Sequence, residues 1–141
     1  MNANFRLSII FLLLLRVCPA LAQELTFNYV PTPKGSFNGL GKIVVQDLQG
    51  IMWVGQRGLH RYDGYGYTSY YHDSLNPASL VDDWVESLYA SRDGFIWVGT
   101  HQGLDRFDPA TGKFTHFRHN PKDKKSLSNN EVSAILEDRG G

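Results

Sequence analysis

The chain has 141 residues, 14 lysines and arginines against 14 aspartates and glutamates, a formal net charge of zero, and a single cysteine, Cys18. A balanced charge excludes the basic footprint that nucleic acid requires, and one thiol excludes a disulfide framework or a thiolate metal centre.

Residues 1–22 are expected to be a signal peptide. Arg6 supplies a positive start, residues 7–15 form an apolar run too short to span a bilayer, and Ala20-Leu21-Ala22 is a small-x-small cleavage site before Gln23. Cleavage would remove Cys18 with Arg6 and Arg16. The remaining segment, 23–141, is then slightly acidic and free of cysteine, which suits export to a bacterial periplasm.

Beyond Gln23 the chain reads as short β-rich runs bounded by turn residues, the pattern of an all-β architecture. Residues 25–30, Leu-Thr-Phe-Asn-Tyr-Val, look like the last strand of a unit that lacks a beginning. Two full units follow, 43–70 and 85–118. Gly50-Ile-Met-Trp-Val-Gly-Gln-Arg-Gly-Leu-His-Arg-Tyr-Asp63 in the first returns as Gly94-Phe-Ile-Trp-Val-Gly-Thr-His-Gln-Gly-Leu-Asp-Arg-Phe-Asp108 in the second, with Trp53 and Trp97 standing 44 residues apart. The offset grows to 47 beyond the later turns, pairing Tyr67 with Phe114, Tyr70 with Phe117 and Val85 with Val132. Every length change falls at Gly, Pro, Asn or Asp, where surface turns accept insertions.

A period in this range means propeller blades or solenoid coils. The second unit predicts four antiparallel strands, at 85–90, 95–99, 103–108 and 113–118, which is a propeller blade. The run Phe95-Ile96-Trp97-Val98 is apolar on both faces, as a strand packed between two neighbouring sheets requires. Trp53, Gly55 and Leu59, with Trp97, Gly99 and Leu104, are therefore the expected structural core of the repeat, the two tryptophans in equivalent buried slots between sheets. Residues 132–138 repeat the first strand of a third unit. The expected fold is a partial β-propeller of two four-stranded blades with an orphan strand before and a first strand after, the beginning of a longer protein with association-prone open faces.

Gly-hydrophobic-Trp-Val-Gly-Thr followed by Gly-Leu-x-Arg-Phe-Asp, together with Ser126-Leu-Ser-Asn-Asn-Glu-Val132, resembles the two-component regulator propeller repeat over nearly all of 23–141. Gln56-Arg57 departs from it by replacing the usual Thr one residue short, Ser91 by standing where Asp is usual, and residues 35–41 by replacing a Gly-Leu-Ser-Asn-Asn stretch. The resemblance implies the periplasmic sensor half of a hybrid two-component system, in which propellers precede a β-sandwich, a membrane helix, a histidine kinase, a receiver and a DNA-binding domain. It implies further that the sensor half binds oligosaccharides from complex glycans, and that the intact protein is a membrane-anchored homodimer signalling to a downstream kinase.

The 141 residues hold no kinase box and no phosphate-cradling glycine loop, so no catalytic residue and no cofactor is expected. Ser91-Arg-Asp-Gly-Phe-Ile-Trp97 only partly matches a sialidase Asp-box, and Asp108-Pro-Ala-Thr-Gly-Lys113 is a turn common to many propellers. His116 and His119 are three apart, on opposite faces of a strand, which speaks against a metal. Asp82-Asp83 are adjacent rather than facing across a cleft, as a glycosidase pair must. One geometric argument does gather a site. In a four-stranded meander, the turn between strands two and three shares an end with the link to the next blade. That brings Gln56, Arg57, His101 and Gln102 together with Asp82, Asp83, Trp84, Asn129 and Asn130 at the channel mouth, planar polar groups and an aromatic suited to a sugar. The alternatives are the start of a propeller-type polysaccharide lyase or hydrolase, or a scaffold for protein partners.

Overall fold

The computed structural model describes residues 43–139. The expected signal peptide (1–22), the orphan strand (25–30) and the departure at 35–41 lie outside the described residues. Eight strands follow in chain order: β1 (Ile43–Gln46), β2 (Met52–Gln56), β3 (Gly58–Tyr62), β4 (Tyr67–Tyr70), β5 (Val85–Ala90), β6 (Ile96–Thr100), β7 (Leu104–Asp108) and β8 (Lys113–Phe117). They form two antiparallel four-stranded meanders, ordered β1-β2-β3-β4 and β5-β6-β7-β8. These are the two expected blades, with strand ends displaced by a residue: Phe95 and Gly103 precede their strands, and Arg118 follows β8.

The pairing register reproduces the sequence repeat. Trp53 lies opposite Arg61, which lies opposite Thr68; Trp97, Arg106 and Thr115 align in the same way. The first hairpin of each blade closes alike. Gly50 N–H donates to Asp47 and Gly94 N–H donates to Ser91, both at 3.0 Å. Each of these glycines has φ near +85° to +90°, at 84° and 89°, where an L side chain is strained. Asp47 does more than turn the chain: its carboxylate accepts the backbone N–H of Gln49 and Ile51 and the Trp53 indole N–H, the last at 2.8 Å.

The core lies between the two sheets. Trp53 and Phe107 are both fully buried, with ring centroids 5.4 Å apart, and Tyr70 and Phe114 complete the cluster. Leu59, Leu80, Val85, Leu88, Ile96 and Val98 surround it. Gly55 allows the close approach of β5, since a Cβ there would sit 2.6 Å from Val85 Cγ1. Gly99 has the same role in the second blade, where the neighbours are Ser87 and Val132.

Two expectations need correction. Residues 132–138, expected as a strand, pair with no strand among the described residues. They nevertheless occupy over the second blade the place β5 occupies over the first: Val132 N–H donates to Thr100 O at 3.0 Å, Ser87 Oγ donates to Val132 O, and Tyr89 hydroxyl donates to Glu137. A strand needs a ladder partner, and neither four-stranded sheet supplies one to this segment. Trp97 is likewise only half-buried, unlike Trp53. It keeps its in-blade neighbour, Phe117, with ring centroids 5.6 Å apart.

Candidate functional site

The β2–β3 turn, the β6–β7 turn and the link 71–84 meet at one end of the sheets, as the meander argument requires. Gly58 N–H donates to Asp83 O at 2.7 Å, Arg57 and Trp84 form an antiparallel bridge, and His101 N–H donates to Trp84 O at 3.3 Å. The backbone around Trp84 is thus held on both sides, by one turn from each blade. Its side chain is 53 % exposed and stacks on the His101 ring, with centroids 6.2 Å apart and planes 15° apart. His101 Nε2 meets a Glu86 carboxylate oxygen at 3.0 Å.

Glu86 is a member of this cluster that sequence reasoning missed. The β5–β6 register passes from Val85↔Thr100 to Ser87↔Gly99, leaving Glu86 as the extra residue of a β-bulge. Such a bulge re-aims a side chain, and bulges concentrate beside functional sites.

The other expected site residues are placed less suggestively. Asp83 accepts His72 N–H through its carboxylate, and Asn130 accepts His119 N–H through its amide oxygen, both at 2.7 Å. These two bonds belong to a loop built twice. In each link the histidine Nδ1–H donates to a leucine carbonyl, Leu80 or Leu127, and a serine hydroxyl, Ser79 or Ser126, receives the N–H of the residue after the histidine. Asn129 caps Glu131 N–H at 3.3 Å and sits with Asn130 one blade beyond Asp82 and Asp83. Gln102 is exposed and its backbone N–H donates to Thr100 Oγ1. Asp82 and Gln56 are half-buried, and the Gln56 Oε1 atom is buried without a hydrogen-bond partner. The structure therefore brings Arg57, Trp84 and His101 together, joined by Glu86, and uses Asp83 and Asn130 to shape loops.

The link 71–84 is fastened to the second blade by a buried acid. Asp105 is fully buried; one carboxylate oxygen accepts Val81 N–H at 2.7 Å and the other meets His116 Nδ1 at 2.6 Å. His116 Nε2–H donates in turn to Pro77 O. Burial pushes the Asp105 carboxyl above its ordinary value of 3.8, against the opposing pull of His116, the Val81 N–H and the Arg118 charge. A folded-state value above the unfolded one means that the folded chain holds the extra proton between the two. The Asp105 contribution is therefore fully present below about pH 3.8 and declines as the pH rises through the raised value. An Asp105→Asn chain removes the titrating carboxyl and keeps an acceptor for Val81 N–H, so its unfolding free energy should lack this component. Denaturant titrations across pH 3–7 check it, and identical pH slopes for the two chains would count against it.

The opposite end of the blades carries a cleft of about 710 Å³ over Trp53 and Tyr70. Its carboxylates are committed to their own turns: Asp47 as described, Asp108 to Ala110 N–H and Thr111 hydroxyl, and Asp93 to Ser91 hydroxyl. Among the described residues, no three or more His, Cys, Asp or Glu side chains converge as a metal site.

Comparison with known proteins agrees with this architecture. A family model described as the two-component regulator propeller matches residues 79–102, which span the link, β5 and β6. A stretch of 56 residues, 40 % of the chain, is 38 % identical to histidine kinase P4 of Formosa agariphila, of which it covers 4 %. The extracellular domain of a hybrid two-component system from B. thetaiotaomicron superposes with a TM-score of 0.63 at 27 % identity, over 69 % of this chain and 14 % of that one. The extracellular domain of a one-component system from the same organism gives a TM-score of 0.52 at 28 % identity, over 78 % and 14 %. The chain thus spans a small share of the length of each of these relatives.

Proposed function

We propose that this chain, whose residues 79–102 match the two-component regulator propeller model, serves within the exported, ligand-capturing sensor half of a hybrid two-component regulator, and that its ligand is an oligosaccharide released from a complex glycan. The observation that carries the reading is Trp84: a large, exposed aromatic whose backbone is fixed by turns of two blades, bridged to Arg57 on one side and backed by His101, which Glu86 meets. An aromatic face receives the apolar face of a sugar ring, and planar charged groups at its edge receive hydroxyls. Sites of this kind sit in loops on a rigid scaffold. The extracellular location of the solved relatives supports export. Signalling would follow from tighter binding to one arrangement of the sensor than to another, with a kinase domain outside these 141 residues reading the difference.

The test is titration of the chain with a panel of plant, algal and host oligosaccharides, followed by Trp84→Ala on the best binder. Removing an exposed platform residue should leave the melting behaviour unchanged. Loss of a central aromatic contact is worth about 1–2 kcal/mol, so affinity should fall roughly tenfold. Unchanged affinity, or no oligosaccharide bound by the unsubstituted chain, would remove the reading.

A further inference from the structure

Trp84 and Arg57 are neighbours by backbone geometry, whatever their rotamers. Gly58 N–H donates to Asp83 O, and Arg57 and Trp84 lie directly opposite each other in the antiparallel bridge that this bond closes. Residues so opposed present their side chains to the same face, with Cβ atoms about 5 Å apart. Both side chains are exposed. The acids around them are engaged elsewhere: Glu86 meets His101, and the Asp83 carboxylate accepts His72 N–H. Asp82 is half-buried. The ion pairs among the described residues join Arg61 to Asp63, Arg92 to Glu137, His101 to Glu86 and His116 to Asp105, and Arg57 belongs to none of them. The repeat also breaks at both positions. At the offset that pairs Val85 with Val132, Trp84 stands against Glu131, and Gln56-Arg57 stand against Thr100-His101-Gln102. Positions that build the blade recur with it, as Gly55 and Gly99 do; this pair does not.

From this, and resting on the saccharide reading of Trp84 above, we infer that the ligand is an acidic oligosaccharide: a sugar ring seated on the indole brings its anionic substituent, a carboxylate or a sulfate ester, to the Arg57 guanidinium. A guanidinium offers a planar fork of N–H donors that matches a pair of anionic oxygens, and such charge-assisted bonds are about twice as strong as neutral ones. The turn does not need this side chain for its closure. His60 Nε2–H donates to the Arg57 carbonyl at 3.0 Å, and the bridge to Trp84 is made by backbone groups of the flanking residues.

Calorimetric titration of the unsubstituted chain would set acidic members of the oligosaccharide panel beside neutralised forms of the same sugars: oligogalacturonate beside its methyl ester, and a sulfated galactose oligosaccharide beside its desulfated form. The acidic member of one pair should bind about tenfold or more tighter than its neutral partner, and added salt should narrow the gap. Which pair shows the gap tells carboxylate from sulfate. Arg57→Gln should bring the acidic ligand down to the affinity of its neutral partner, a loss of about 10- to 100-fold, with melting unchanged. Arg57→Lys keeps the charge without the fork and should recover part of that loss, which a merely structural role for the arginine would not produce. Neutral members that bind as tightly as acidic ones, or an Arg57→Gln chain that keeps full affinity for the acidic ligand, would overturn the inference and leave the saccharide reading standing. A panel of which no member binds would remove both.

Discussion

Trp53→Ala is expected to abolish cooperative unfolding, while Trp97→Ala leaves a measurable transition. The two tryptophans hold the same register position, so propensity and pairing are matched and only the surroundings differ. Trp53 is fully buried against Phe107, and its indole N–H closes on Asp47, the residue that also caps the β1–β2 turn. Truncating a buried tryptophan costs about 3–5 kcal/mol. A domain of this size has a total stability of about 5–15 kcal/mol, and two blades with one shared core belong at the low end. Trp97 is half-exposed and meets Phe117 on one side, so its loss removes less apolar contact and opens no closed cavity. Thermal unfolding followed by circular dichroism, at a concentration low enough to keep the chain monomeric, separates the two. Equal losses at both positions would mean that the second tryptophan is covered as fully as the first.

That asymmetry also marks how far the sequence could be read. The repeat, the four strands per blade and the turn positions were legible because blades buried on both faces write consecutive apolar residues, Met52-Trp53-Val54 in β2 and Ile96-Trp97-Val98 in β6, and because Gly50 and Gly94 need a positive φ that few other residues tolerate. The half-burial of Trp97 was not legible in the motif around it, which is the same as that around Trp53; it depends on residues far along the chain. The gathering of the candidate residues at one end of the sheets was legible in outline. Meander geometry places Arg57, Trp84 and His101 at one end whatever their side chains do. The roles of Asp83 and Asn130 were hidden because a loop-closing acceptor and a ligand-binding acceptor are the same chemical group, and the links accept either residue: Asp73 and Asn76 in one become Asn120 and Asp123 in the other, with the same backbone N–H groups received. Glu86 was missed because a bulge is a property of the pair of strands and leaves no mark on one of them.

Gly55→Ala is expected to destabilise the chain, and Val85→Ala is expected to relieve most of that effect. Away from positive φ, alanine in a strand should gain about 0.5–1 kcal/mol over glycine from the reduced freedom of the unfolded chain. The sign is decided by space. A Cβ on Gly55 would lie 2.6 Å from Val85 Cγ1 and 3.1 Å from Leu88 Cδ1. Val85 is 2 % exposed and, being β-branched, has little rotamer freedom with which to withdraw, so β5 must move away from β2 and loosen the core between the blades. Overpacking of this kind costs about 1–3 kcal/mol, more than the chain-entropy gain. Val85→Ala alone removes two buried methyl groups and should cost about 2 kcal/mol. In the double variant the new methyl occupies space that the valine vacates. Its total cost should therefore fall near that of Val85→Ala alone, an interaction of about 1–2 kcal/mol between the two sites. Urea titrations of the four chains measure it as a double-mutant cycle. Strict additivity would show that the blades are not held at the separation that a glycine at position 55 permits.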